Sequence, residues 1–215
     1  MNYGNTCTLS NNVLFNQCLQ CNENIDKHTI SVIQSDAETV KLALKVQENL
    51  DKVYQTALTN GYKLTENTMV GAAIATIDGS RVVKVVALSG FDASTVLSLM
   101  PSNLGKDVVI VGGNVALGEF MTVTAEPVRP NLAPIANGFN YLLGSCAAQK
   151  VLMEIIRQAK PQQRGGRLRI SNLRMAEIFW KTTGTKGNWS SGDVVPSCDT
   201  CKRLVPMLLC DKCDD

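Results

Sequence analysis

The chain predicts an α/β fold: a mixed sheet flanked by helices, preceded by an N-terminal helical appendage. Three observations carry this. A hairpin signature lies between Met69 and Ser89, and a helix with one apolar face begins at Cys146. From that point the order helix, strand, polar loop, helix runs to the C-terminus, and such alternation implies layered α/β packing. With 215 residues, 45% of them apolar, the chain has the size and composition to bury a core without staples.

Residues 1–34 are rich in asparagine and lack periodicity, but they contain the pair Cys18-x-x-Cys21. Ser35-Asp36-Ala37-Glu38 reads as a helix start, with Ser35 as the cap and Glu38 three residues on. Val40, Leu44, Leu50, Val53, Tyr54 and Leu58 then recur at helical spacing until Asn60-Gly61 stops the helix. Residues 1–66 form the appendage and 67–215 the main domain. In that domain Val70, Ala72, Ile74 and Thr76 alternate toward Asp78-Gly79, a strong two-residue turn signal, and residues 81–88 return. The stretch 92–142 reads as an insertion: a short helix over Ala93–Met100, strands at 107–111 and 119–124, then Pro127, Pro130 and Pro134. Gly112-Gly113 lacks the third glycine and the following helix of a dinucleotide fingerprint.

After Cys146, the residues Ala148, Val151, Leu152, Ile155, Ile156 and Ala159 share a helical face. Lys150, Glu154, Arg157 and Lys160 fall outside it. A strand is expected over Met175–Trp180 and a polar loop over 182–192. The last helix follows Cys198-x-x-Cys201 and must kink or restart at Pro206.

Eight cysteines accompany a single histidine. Six of them form three Cys-x-x-Cys pairs, and the N-terminus has neither the basic start nor the apolar run of a secretory signal. Metal binding is therefore expected over disulfides. Cys146, Cys198 and Cys201 sit at two helix N-termini, where free N–H groups and the dipole favour thiolate. Together they make a three-ligand zinc site with one position open to water, the usual form of catalytic zinc. The competing arrangement is a four-cysteine cage of Cys198, Cys201, Cys210 and Cys213. It suffers because a helix between the pairs separates them by about 13 Å. The remaining Cys18, Cys21, Cys210 and Cys213 are candidates for a second, structural metal site. Cys7 is left unpaired, and His28 is assigned a solvated or capping role.

The segments Cys146-Ala147-Ala148 and Pro196-Ser197-Cys198-x-x-Cys201 resemble the signature of the zinc-dependent nucleobase (cytidine) deaminases. In that family His/Cys-x-Glu on one helix meets Pro-Cys-x-x-Cys on the next. The all-cysteine ligand set and the Cys-Ala-x-x-Lys run look most like the deaminase domains of bacterial toxins. Two departures stand out: Ser197 is an extra residue after the proline, and Ala148 occupies the position of the proton-shuttling glutamate. The resemblance implies a cytidine-deaminase-like sheet and a Zn2+-dependent hydrolysis of cytosine to uracil in nucleic acid. It also implies an immunity protein as a partner. With Ala148, engineered or natural, a catalytically dead centre is expected, because losing positioned acid–base catalysis costs about 10²–10⁴-fold.

Charge distribution bears on the substrate. Between Cys146 and Ser190 lie nine basic and two acidic residues, in a chain whose net charge is only +2. Interleaved with Phe179, Trp180 and Trp189, this segment suits single-stranded or locally opened DNA, or RNA. Trp180 and Trp189, with Asn137, Asn140 and Tyr141, are the substrate-binding candidates. A free-nucleoside deaminase is the alternative, although the Asn-x-Glu such enzymes carry before the first zinc helix is missing between Ile135 and Ser145. The other alternative is a non-catalytic, zinc-stabilised binding module for nucleic acid or protein. No apolar run reaches the ~18 residues of a membrane span, and a cytoplasmic site of action is expected.

Overall fold

A computed structural model describes residues 17–61, 66–90, 104–128, 143–159, 168–186 and 188–212. Four strands make one mixed sheet: β1 (Asn67–Ile77), β2 (Arg81–Leu88), β3 (Val108–Val111) and β4 (Ile170–Lys181), in the order β3-β2-β1-β4. β1 pairs antiparallel with β2 and β4, and β3 adds in parallel at the β2 edge. The hairpin forms as the alternation predicts. Asp78 and Gly79 both adopt positive φ, which is what a twist-matched two-residue turn demands.

The sheet is covered on both faces. Helix α1 (Ala37–Thr59) lays Leu42, Ala43, Val46, Leu50, Val53 and Tyr54 against Val70, Ala72 and Ile74 of β1 and Ile178 and Trp180 of β4. The helix read as an appendage is therefore one layer of the sheet. Its cap is Asp36, not Ser35: the Asp36 carboxylate accepts from Thr39 N at 2.9 Å, and Asp36 N donates to Thr39 Oγ1 at 3.0 Å. Thr39 thus takes the role assigned to Glu38, and Arg174 pairs with Asp36 at 2.6 Å.

Helices α2 (Ala147–Ala159) and α3 (Asp199–Leu208) cover the opposite face. There Ala73, Ala75 and Ile77 of β1 meet Val151, Leu152, Ile155 and Ile156 of α2 and Leu204, Val205 and Leu208 of α3. Ile25 and Ile33, from the irregular segment before α1, join this second core. Pro206 lies inside α3 without ending it.

Two expectations for 92–142 need correction or fall out of view. Residues 119–124 do not form a strand. A 3-10 turn at Leu117–Glu119 leads into a tight loop in which Thr122 and Thr124 bond each other, with only an isolated bridge between Met121 and Pro127. Ala93–Met100 lies outside the described residues. No described helix is long and apolar enough to cross a membrane.

Candidate active site

Cys146 is delivered by a glycine-dependent turn. Gly144 has φ +85°, and a Cβ there would stand 1.9 Å from Val115 O, so only glycine fits. The turn is held by Val115 N donating to Gly144 O (3.1 Å) and Gly90 N donating to Ser145 O (3.0 Å). α2 begins at the next residue. Its N-terminus rests directly on the sheet because β1 has no side chain at Gly71, where a Cβ would come within 2.9 Å of the Ala147 Cβ.

Cys198 is the N-cap residue of α3, and Cys201 lies one turn in. All three sulfurs fall within 4.8 Å of one another. Cys146 Sγ and Cys198 Sγ are 3.7 Å apart. A zinc tetrahedron with 2.3 Å Zn–S bonds has S–S edges of about 3.8 Å, whereas a disulfide needs about 2.05 Å. The donor set and spacing therefore fit a divalent metal with three protein ligands. Gln149, fully buried, braces the arrangement: it accepts from Gly144 N at 2.6 Å and donates from Nε2 to Cys201 Sγ at 3.5 Å. The Cys198 thiol is pulled far below the ordinary range by hydrogen bonds from Cys146 and then Cys201, while those two are pushed up.

Ala148 is fully buried, and its backbone N–H donates at 3.2 Å to Oε1 of Glu177. Glu177 is 7% exposed and comes from the middle of β4, in register with Gly71. The gap above Gly71 lets the α2 N-terminus descend to this carboxylate. Burial, and secondarily the Cys198 charge, raises the Glu177 carboxyl to about 7. A cavity of about 620 Å³ opens over these groups, and Glu177, Cys146, Cys198, Thr68, Phe179 and Trp189 are among the residues lining it.

Sequence reasoning passed over Glu177. Its signal was a lone acid inside the apolar strand Met175–Trp180, where a carboxylate is costly unless partnered. Alternation along β4 also corrects the aromatic assignment. Trp180 faces α1, 3% exposed, with its Nε1 donating to Asp51 at 2.6 Å and its ring edge-on to Tyr54. It belongs to the core. Phe179 points to the cavity instead and packs edge-to-face on Trp189, centroids 5.8 Å apart. Trp189, 43% exposed, lines the cavity. Asn137, Asn140 and Tyr141 lie outside the described residues.

Lys150 departs from its expected place on the outer face of α2. It is fully buried, donating from Nζ to Leu88 O (2.9 Å) and Gly90 O (3.0 Å), and burial lowers its amine to about 8. Other cations of the basic segment are engaged elsewhere: Arg157 with Glu119, Arg169 with Asp78, and Arg174 with Asp36 and Glu38. Lys160, Arg164 and Arg167 lie outside the described residues. No lysine or arginine is among the described residues lining the cavity.

The remaining cysteines fall into a second cluster. Cys18, Cys21 and Cys210 come together as expected, but the fourth member is His28, 4% exposed, not a solvated residue. Cys213 and Cys7 lie outside the described residues. The cage of Cys198, Cys201, Cys210 and Cys213 does not form as drawn, because α3 carries Cys210 into this second cluster.

No protein-family model, curated protein or solved structure matches the chain.

Proposed function

We propose that this protein hydrolyses the exocyclic amine of a nucleobase, converting cytosine to uracil, with a zinc ion held by Cys146, Cys198 and Cys201. One observation carries the reading. The cavity joins a three-thiolate metal-binding cluster to a buried carboxylate, Glu177, that hydrogen-bonds the backbone at position 148, where the resembled family places its own acid. Bound there, zinc would supply the acidity that makes water a nucleophile near neutral pH.

The chain's own residues supply the rest. The Glu177 carboxylate takes one proton from the attacking water and passes it to the ring nitrogen, then takes the second from the new C4 hydroxyl and passes it to the departing amine. The C4–O bond forms, the C4–N bond breaks and ammonia leaves. Burial favours the protonated form of this carboxyl, the direction a group needs if it is to release a proton as well as accept one. Ala147 keeps the α2 N-terminus narrow enough to lie against β1 at Gly71. Phe179 and Trp189 offer ring faces to the base at the cavity mouth. Glu177 makes turnover the favoured reading for this chain, in place of the inert centre that Ala148 alone suggests.

Single-stranded nucleic acid is the proposed substrate, because Trp189 stands exposed at the rim where a strand would stack. One observation favours a free nucleoside as the second reading: the described lining residues include no cation for a phosphate. The zinc-loaded chain is to be incubated with single-stranded DNA, RNA and cytidine. C-to-T changes on sequencing, or uridine from cytidine, are expected. Absence of product from all three removes the proposal.

A further inference from the structure

We infer that Cys18, Cys21, His28 and Cys210 bind a second zinc ion in a closed, four-ligand structural site that clasps the segment before α1 onto the end of α3. This inference is independent of the activity proposed above.

The donors are buried, at 0%, 7%, 4% and 1% exposure respectively, and their ligand atoms all lie within 4.8 Å of one another. Cys21 Sγ and His28 Nε2 are 3.4 Å apart. With Zn–S bonds of 2.3 Å and Zn–N bonds of 2.0–2.1 Å, the S–N edge of a tetrahedron is about 3.5 Å. Three thiolates and one imidazole are a donor set that favours zinc over the oxygen-seeking Mg2+ or Ca2+. Four protein ligands leave no position for water, which separates this site in kind from the three-ligand cluster.

Local structure around the cluster is shaped for an ion. Cys18 N donates to Glu23 O and Asn22 N to Cys18 O, both at 2.8 Å, closing the Cys-x-x-Cys segment into a tight knuckle. Asn22 completes it at φ +60°, a conformation asparagine tolerates better than most residues. Gln20 N points at Cys18 Sγ at 3.4 Å, a hydrogen bond that suits a thiolate. Next to Cys210, Asp211 Oδ2 accepts from Thr29 N at 3.1 Å and from Thr29 Oγ1, tying the residue after His28 to the same corner. His28 Nδ1 and Asp211 Oδ1 are both buried without a hydrogen-bond partner.

The ion has a mechanical reason to be there. Before α1 the described chain has one 3-10 turn, Ile25–Lys27, two buried isoleucines and a few scattered bonds, such as Thr29 to Asp211, Gln20 Nε2 to Pro127 O and Met175 N to Gln34 O, to hold it. A metal crosslink between Cys18 and Cys210 closes nearly the whole chain into a loop, and its binding energy becomes folding energy. α3 runs from its N-cap Cys198 to Leu208, two residues short of Cys210, so one helix about 15 Å long links the two clusters.

The test is direct because the chain has one histidine. The full chain, purified reduced and loaded with 113Cd, should give two cadmium resonances. One of them should correlate with the ring protons of His28. By elemental analysis the zinc-loaded wild type should hold two ions, H28A and C210S one each, and H28C two again. Retention of two ions by C210S would overturn the inference. So would a wild-type cadmium spectrum without the histidine correlation, or a Cys18–Cys210 disulfide shown by a mass lower by two hydrogens.

Discussion

Replacing Glu177 by glutamine probes the candidate site at its narrowest point. The substitution keeps shape and keeps an oxygen to accept from Ala148 N, now 3.2 Å from Oε1, so the α2 N-terminus should stay in place. What is lost is a proton carrier and a negative charge. If Glu177 moves protons during deamination, the rate should fall by about 10²–10⁴, or about 3–5.5 kcal/mol of barrier. Zinc content and affinity for a cytosine oligonucleotide should stay within about threefold. A cap that merely holds α2 would leave the rate intact, since glutamine caps too.

The same variant carries a stability signature in the metal-free protein. Burial, then the Cys198 charge, raises the Glu177 carboxyl from 4.5 to about 7. In that interval the folded protein holds a proton that the unfolded chain has released. The favourable contribution of the neutral carboxyl is therefore complete below about 4.5 and gone above about 7. Each pKa unit is worth about 1.4 kcal/mol, so E177Q should gain on wild type by up to about 3 kcal/mol between pH 4.5 and 8. Urea titrations of both chelated proteins across that range would show it. Full activity in E177Q, with no pH-dependent gain, would refute the placement of this carboxylate in the chemistry.

Gly144→Ala puts a Cβ 1.9 Å from a backbone oxygen at φ +85°. The left-handed backbone costs about 1–2 kcal/mol and the broken Val115–Gly144 pair about as much again. A fall in Tm of roughly 5–15 °C by scanning calorimetry, with loss of zinc from the Cys146 cluster, is expected. Trp189→Ala should weaken binding of a single-stranded oligonucleotide by about 1–3 kcal/mol, measured by fluorescence anisotropy, without lowering Tm. Trp180→Ala should do the reverse, because its ring and its bond to Asp51 belong to the α1 layer.

Much of this protein was legible in its sequence wherever a local rule governs. Hairpin alternation, the Asp78-Gly79 turn and the apolar face of α2 depend on neighbours a few residues apart. So does the placing of Cys146 and Cys198 at helix starts. Cys198 and Cys201 could be paired from their Cys-x-x-Cys spacing, while Cys146 was grouped with them by its place at a helix start and by the resemblance to the deaminase signature.

Tertiary structure decided what depends on which face and which distant partner. Period-two alternation on β4 sent Glu177 and Phe179 to the cavity and Trp180 to the core, a choice the strand's sequence leaves open by one residue. Lys150 left the solvated face of α2 because Leu88 O and Gly90 O lie where its amine can reach them. His28 became a ligand candidate only when α3 brought Cys210 back to the knuckle at Cys18, some 190 residues earlier in the chain. Local spacing states which atoms can bind; only the folded backbone states which of them meet.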